Sequence, residues 1–354
     1  MTGVRVVLAD DTPDVRALLR LVFERAGFDV VGEAADGAEA AELAGEHQPD
    51  VVIVDLGMPL MDGLGAIPLI RRQAPGAKVI VFSGFTSDRL VADALAAGAH
   101  AFMEKGTPPA ALVAQVSAVV SDESALGRKP AEPDGREDLT FVVHELMTPL
   151  TVIEGFATMM EARADTLTAE EIRDYGGRVA RSATHLRALI QAVADARRVE
   201  GGSLKVEREL LDLGALVPDV VAELDAVTAP HPVVVDAEPG LVVWGDAGRL
   251  RQVLTNVLSN AARFSPAAEP IEVMARAAEG AVEVAVADHG PGIPADRRGE
   301  LFSRYCRLGN PAAGMGIGLY ISRGIALAHG GDLRLADAPG EGACFVLSLP
   351  HADP

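Results

Sequence analysis

Aromatic residues are scarce: 4% of the 354 residues, with one Trp, Trp244. Packed cores must therefore be filled by Ala, Val and Leu, which the 49% apolar content allows. Cysteine is almost missing as well. Cys306 and Cys344 show no pairing pattern or zinc-ligand spacing, which excludes a disulfide framework and fits a reducing compartment. There is no excess of basic residues, and the net charge of −20 repels nucleic acid and anionic membranes alike. No apolar run has the length of a membrane span, so no membrane partner is expected. The opening "VRVVLADD" enters a strand without a cleavable-signal pattern, and the expectation is a cytoplasmic protein.

What the chain does contain is organised in blocks. Residues 4–122 alternate apolar runs (Val4–Ala9, Asp29–Ala34, Val51–Val54, Val79–Phe82, Ala101–Met103) with helical patterns at 14–26, 37–46, 63–73, 87–97 and 109–121. That alternation predicts a parallel sheet covered on both faces. The Pro-, Gly- and charge-rich stretch 123–137 reads as a linker. Two long amphipathic helices follow, at about 137–164 and 169–199, within a segment bounded as 138–202. Thr168 and Glu171 form a capping-box pattern at the start of the second. Two antiparallel helices cannot bury both apolar stripes alone, so a homodimeric four-helix bundle is expected. Residues 203–354 mix strands and helices. "VVVDAEPGLVVWGD" and "EVMARAAEGAVEVAVADHG" read as hairpins, and the expectation is an α+β layered domain with a mixed sheet.

Ligands of open parallel sheets bind beyond the carboxyl ends of the strands. Those ends carry Asp10 and Asp11, Asp55, Ser83 and Lys105. Converging carboxylates raise one another's pKa unless a cation neutralises them, and Mg²⁺ suits an all-oxygen set. Ser83 and Lys105 can then hold the oxygens of a phosphoryl group on Asp55. In "LADD", "VIVDLGMPLMDG", "FSG" and "GAHAFMEK" this region resembles the response-regulator receiver domains, with a flavodoxin-like fold. The resemblance implies that Asp55 is the phosphoacceptor and that Asp10, Asp11 and the Gly57 carbonyl join it around Mg²⁺. It also makes Ser83 and Phe102 the switch pair. The chain departs from the family at Gly106, where proline is usual after the lysine, which implies a looser loop.

In "FVVHELMTPL" a proline sits inside a helical pattern, five residues after His144. His144, Glu145 and Thr148 share a helix surface, away from the seam of Leu139, Val142 and Leu146. A histidine near its ordinary pKa offers an unprotonated nitrogen as nucleophile. Glu145 can orient the other nitrogen and take its proton, and Thr148 can hold a water. "HELMTPL" resembles the H-box of dimeric sensor histidine kinases, with Met147 where many carry arginine. The resemblance implies phosphorylation of His144, Glu145 as base, and Thr148 as the residue that positions water for dephosphorylating an aspartate. Pro149 leaves the Glu145 carbonyl without its helical donor and lets the helix bend beside His144.

The last block holds a nucleotide site in pieces. Asn256 and Asn260 lie one turn apart, with Arg263 and Phe264 on the next turn. Asparagine can ligate Mg²⁺ and arginine can pair with phosphate. "VEVAVADHGPGI" offers Asp288 for an adenine amino group, with Gly290, Gly292 and Ile293 behind it. "LFSRYCR" adds Phe302, Arg304, Tyr305 and Arg307. "GMGIGLY" opens a helix with Gly314, Gly316, Gly318 and Leu319, where backbone N–H groups suit polyphosphate. Residues 212–350 resemble the ATP-binding domain shared by histidine kinases, type II topoisomerases, heat-shock chaperones and mismatch-repair ATPases. The ATPases of that superfamily carry a glutamate where Asn256 stands, so the resemblance implies transfer to a side chain rather than hydrolysis. The whole reads as a receiver (1–122), a linker (123–137), a dimerisation and phosphotransfer hairpin (138–202) and an ATP-binding domain (203–354). The expected activity is that of an ATP–Mg²⁺-dependent histidine autokinase with transfer to a receiver aspartate, regulated by the chain's own N-terminal receiver through Asp55. Its partners would be a response-regulator receiver, or an upstream kinase or phosphotransfer protein. A net phosphatase and a non-catalytic adaptor are the rival readings.

Overall fold

The computed structural model of the chain describes residues 3–84, 88–121, 137–306, 315–336 and 342–352. The linker up to residue 136, Arg307 and Gly314 lie outside the described residues, as does the side chain of His144. The chain forms two compact units, one running through Ile190 and the other starting at Gln191.

The first unit opens with β1 (Arg5–Ala9), α1 (Pro13–Arg25), β2 (Asp29–Ala34), α2 (Gly37–His47) and β3 (Val51–Val54). It continues with α3 (Gly63–Gln73), β4 (Lys78–Ser83), α4 (Asp88–Ala97), β5 (Ala101–Glu104) and α5 (Pro109–Val120). All strand pairs are parallel, in the order β2-β1-β3-β4-β5. The chain steps from β1 outward to β2 and then returns to the other side of β1 as β3. The loops after β1 and β3 therefore diverge and leave a crevice at the carboxyl edge, where Asp10 and Asp55 stand. β3 is buried along its whole length and β1 and β4 nearly so, as strands covered on both faces must be. Asp36 caps α2 by accepting from the Ala38 and Glu39 N–H groups, and Asp62 caps α3 through Gly65 N–H.

Two long helices complete this unit, α6 (Glu137–Ala162) and α7 (Ala169–Glu200), whose last turns extend into the second unit. The capping box at α7 closes reciprocally. Glu171 accepts from Thr168 N–H at 2.9 Å, and Glu171 N–H donates to Thr168 Oγ1 at 3.2 Å. Those Thr168 bonds hold the half-buried Glu171 carboxyl down at about 2. The apolar side of α6 does not wait for a second copy. Val152, Phe156 and Met159, with Tyr175 of α7, share one core with Val15, Leu18, Leu19 and Val22 of α1 and Leu112 of α5. Val143, Ile172 and Ile190 stay at least 40% exposed.

The second unit holds β6 (Glu209–Asp212), α8 (Leu213–Glu223), a single turn α9 (Asp225–Thr228), β7 (Val233–Ala237), β8 (Val242–Gly245) and α10 (Ala247–Phe264). β9 (Ile271–Ala278), β10 (Ala281–Ala287), α11 (Gly318–Ala328), β11 (Asp332–Ala336) and β12 (Cys344–Pro350) follow. The main sheet runs β11-β12-β10-β9-β7 and is mixed, since β7 pairs parallel to β9 and the other pairs are antiparallel. α10 buries Leu250, Val253, Leu254, Val257, Leu258 and Ala261, the three- and four-residue steps of one helix face. Asp195, at the end of α7, is buried. Arg249 of α10 reaches it at 2.6 Å, and that pairing outweighs the burial and lowers its pKa.

The β9–β10 hairpin forms around Glu279-Gly280 as expected. The other expected hairpin does not. β8 leaves β7 and pairs with β6 in a separate two-stranded sheet. The cause is Asp212, whose carboxylate accepts from Gly214 N–H (2.8 Å), Leu241 N–H (3.1 Å) and Gly240 N–H (3.3 Å). It caps α8 and captures the Pro-Gly turn with the same group, drawing β8 toward β6. Asp212→Ala should cost the second unit about 1–2 kcal/mol. Differential scanning calorimetry should show the loss, and hydrogen exchange should speed up at Gly214 and Leu241.

Candidate functional site

The carboxyl edge of the first sheet carries a charged cluster. Asp10 and Asp11 directly follow β1, and Asp55 directly follows β3; one carboxylate oxygen from each lies within 4.8 Å of the others. Asp10 and Asp55 are buried, and so is Lys105, which follows β5. The Lys105 ammonium sits 2.8 Å from Asp10 Oδ2 and 2.9 Å from Asp55 Oδ2. Burial alone would lower its pKa, but the two carboxylates outweigh it and the net shift is upward. Burial raises Asp10, with Asp55 adding to it. Burial, then Asp10 and Asp55, push Asp11 up to about 6. Lys105 N–H donates to the Ser83 carbonyl at 2.8 Å, which fixes the lysine to the end of β4, where buried Ser83 stands. Gly57 lies two residues past Asp55 in the loop to α3, and half-buried Phe102 lies on β5. One cation for three carboxylates leaves excess negative charge, and the donor set is all oxygen. Asp10, Asp11 and Asp55 therefore fit a hard divalent ion such as Mg²⁺.

Gly106 is not simply a looser version of a proline. Its φ is +99°, a conformation that proline, fixed near −65°, cannot take. The loop after Lys105 thus follows a path of its own.

On α6, Glu145 and Thr148 are half-buried in an unbroken helix that contains Pro149. Thr151 was not singled out from the sequence. It is buried, and its Oγ1 donates to the Met147 carbonyl at 2.8 Å, two residues along from Glu145, to whose carbonyl Pro149 has no N–H to donate. A Thr following a helical Pro was the available signal.

In the second unit the segments expected to meet a nucleotide converge. Asn256 and Asn260 are half-buried on α10, and Arg263 and Phe264 are exposed on its last turn. Asn256 Nδ2 donates to Ser322 Oγ of α11 at 3.0 Å. A Cβ built on Gly318 would fall 2.3 Å from Asn256 Oδ1, so only glycine lets the first turn of α11 approach α10. Asp288, at the end of β10, is buried. Its Oδ1 accepts from Gly290 N–H at 2.9 Å and from Ala343 N–H at 3.1 Å. Gly292 and Ile293 follow half-buried. Gly316 packs against the backbone of Tyr305 and Cys306, and Leu319 is half-buried on α11. Arg304 is engaged elsewhere, paired with Glu200 and lying 5.5 Å over the Tyr305 ring. Phe302 is likewise taken, by Arg323 and an edge contact with Phe345. Ser322 and Ala343 were missed from the sequence because each acts through a contact with a residue far along the chain.

Residues 6–117 match the response regulator receiver domain, 137–202 the His Kinase A (phospho-acceptor) domain, and 245–353 the histidine kinase-, DNA gyrase B- and HSP90-like ATPase. The chain thus matches three domain models in succession, with the receiver model ahead of the other two. Sensor protein KdpD of Rathayibacter rathayi is 37% identical over 49% of the chain and 20% of its own length. The sensor-like histidine kinase SenX3 of Mycolicibacterium smegmatis is 29% identical over 66% of the chain and 62% of its own length. Sensor protein DivL of Caulobacter vibrioides is 32% identical over 66% and 30%. The chain thus spans less than two thirds of each of these relatives.

The charged cluster makes a prediction about pH. Asp11 is raised in the fold, so its contribution to stability is full below the unfolded value of 3.8 and is lost as pH rises through about 6. A cation that binds the ionised carboxylates recovers that loss. Millimolar Mg²⁺ should therefore raise the melting temperature of the first unit more at pH 7.5 than at pH 5. Equal shifts at both pH values would count against Asp11 as a ligand.

Proposed function

We propose that the protein is a histidine autokinase in which ATP phosphorylates His144 and the group then passes to a receiver aspartate. The observation that carries this reading is the presence in one chain of the His144 segment, the converged Asn256–Gly318–Asp288 site and the Asp10–Asp55–Lys105 cluster. Asn256, Asn260, Gly316 and Gly318 would hold the phosphates, and Asp288 Oδ2 would accept from the adenine amino group, its Oδ1 being committed to the backbone. Mg²⁺, when bound by Asn260 with the phosphates or by Asp10, Asp11 and Asp55, supplies charge neutralisation for phosphoryl transfer. Glu145 would orient the His144 ring and take its proton as the nitrogen attacks. In the receiver, Lys105 holds Asp55 in position and is placed to meet an oxygen of the incoming group, with Ser83 and Phe102 as the switch pair.

The domain limits proposed are 1–122, 138–202 and 203–354. A homodimer through the hairpin is the proposed assembly, because Val143, Ile172 and Ile190 remain exposed on it. Among the described residues no helix is long and apolar enough to cross a membrane. We read the site of action as cytoplasmic from the free Cys306 and Cys344.

His144→Gln should abolish acid-labile, base-stable label from radiolabelled ATP, and Asn260→Ala should do the same through lost nucleotide binding. Retention of such label in the His144 variant would refute the assignment. We propose phosphatase activity toward a receiver phospho-aspartate alongside the kinase, and Thr148→Ala tests it. The substitution should leave His144 labelling within about two-fold and slow dephosphorylation of a receiver aspartate by roughly ten-fold or more. Parallel loss of both activities would assign Thr148 to the helix fold.

A further inference from the structure

His329 follows α11 as its C-cap residue and is buried, 2% exposed. A glycine turn fixes it there. Gly330 takes a φ of +85°, its N–H donates to the Leu327 carbonyl at 2.9 Å, and Gly331 N–H donates to that of Ala326 at 3.0 Å. The ring then makes two bonds. Nε2 accepts from Asp246 N–H at 2.9 Å, and Nδ1 lies 2.7 Å from the Ile325 carbonyl. A nitrogen that accepts carries no proton, and one that faces a carbonyl must carry one, so only the neutral Nδ1–H tautomer satisfies both contacts. Asp246 is the N-cap of α10, its carboxylate accepting from Arg249 N–H at 3.1 Å. In a capping box a Glu or Gln at the third helical position accepts in return from the cap residue's own N–H. That position holds Arg249, which has no acceptor to offer. His329 supplies the missing half of the box from another helix.

α10 and α11 are thereby joined twice. Asn256 meets Gly318 and Ser322 near the start of α11, and Asp246 meets His329 at its end. The two joints lie about 15 Å apart along α10, so they fix the angle between the helices as well as their separation. We propose that His329 is a positioning residue for the nucleotide site, fastening the N-cap of α10 to the end of α11 and so holding Asn256 and Asn260 in register with Gly316 and Gly318. This rests on the kinase reading above for what the site binds. Protonation undoes the joint, because the imidazolium sets an Nε2–H against Asp246 N–H. Two charged groups face the ring. Arg208 donates to the Ala328 carbonyl beside it and opposes a second positive charge, whereas the Asp246 carboxylate favours one. Burial is the largest influence and holds the ring's pKa below the ordinary histidine value. The fold thus favours the neutral ring, whose contribution to stability is full above that ordinary value and is lost as pH falls below it.

The test uses the full chain and a non-hydrolysable ATP analogue with Mg²⁺, its affinity measured by titration calorimetry. His329→Gln places an amide oxygen where Nε2 stands and does not titrate. His329→Asn keeps a donor for the Ile325 carbonyl but is too short to accept from Asp246. At pH 7.5 the Gln variant should bind within about two-fold of wild type, and the Asn variant roughly ten-fold more weakly. Between pH 7.5 and pH 5 the wild type should lose affinity relative to the Gln variant by roughly five-fold or more, since the titration of the nucleotide itself is common to both. Wild-type affinity in the Asn variant, equal losses in the Asn and Gln variants, or parallel pH profiles of wild type and Gln variant overturn the proposal. A second measurement needs no nucleotide. Nitrogen NMR should show a ring protonated on Nδ1 whose signal disappears in His329→Gln, and hydrogen exchange at Asp246 should speed up in His329→Asn but not in His329→Gln. An Nε2–H tautomer, or unchanged exchange at Asp246 in the Asn variant, also overturns it. A wild-type chain that does not bind the analogue refutes the kinase reading, and the tautomer and the exchange rates then decide the joint alone.

Discussion

A buried ammonium between two buried carboxylates is the interaction on which the first unit turns. Lys105 lies within 2.9 Å of both Asp10 and Asp55, and none of the three meets solvent to any extent. Charges in such a place persist only when paired, so the strand ends that carry them cannot drift apart. The order reversal between β1 and β3 brings the carboxylates together, and the bond from Lys105 N–H to Ser83 brings in the cation. The path of the loop past Lys105, with Gly106 in a left-handed conformation, is then set by what the lysine must reach. Through that loop the cluster determines which part of the receiver is presented to α6.

The second unit organises its site with neutral groups instead. Asn256 is held by Ser322 and by the close approach of Gly318, and Asp288 by two backbone N–H groups from either side. Hydrogen bonds of this kind fix orientation without using up the charge a nucleotide would need to meet. Arg304 shows the opposite case. Its guanidinium is bound to Glu200, so it takes part in tying the end of α7 to this unit.

Much of this was legible in the sequence, and the failures have physical causes. The receiver strands were visible because strands buried on both faces are continuously apolar. The α7 start was visible because Thr168 and Glu171 make a local, self-contained motif. Asp10, Asp55 and Lys105 could be placed together because topology sends them to one edge. The β7–β8 hairpin failed because a Pro-Gly turn records only that the chain reverses. The choice of sheet was made by Asp212, some thirty residues earlier in the chain. The covering of α6 by α1 was likewise invisible, since an amphipathic helix states that it needs a partner and not which one. Ser322, Ala343 and Thr151 act through single contacts that leave no periodic trace.

Pro149 gives α6 an uneven stiffness. A helix resists bending through its ladder of hydrogen bonds, and the rung at the Glu145 carbonyl is missing because Pro149 has no N–H to offer. Two residues on, the Met147 carbonyl is shared with the Thr151 hydroxyl, which loosens that rung as well. A load applied anywhere along the 26 residues of α6 is therefore not spread evenly but is taken up within a single turn. That turn begins beside His144. The rest of the helix can stay straight and keep its packing against α1 while the segment next to the histidine changes angle, so α6 works as two stiff rods joined at a compliant joint.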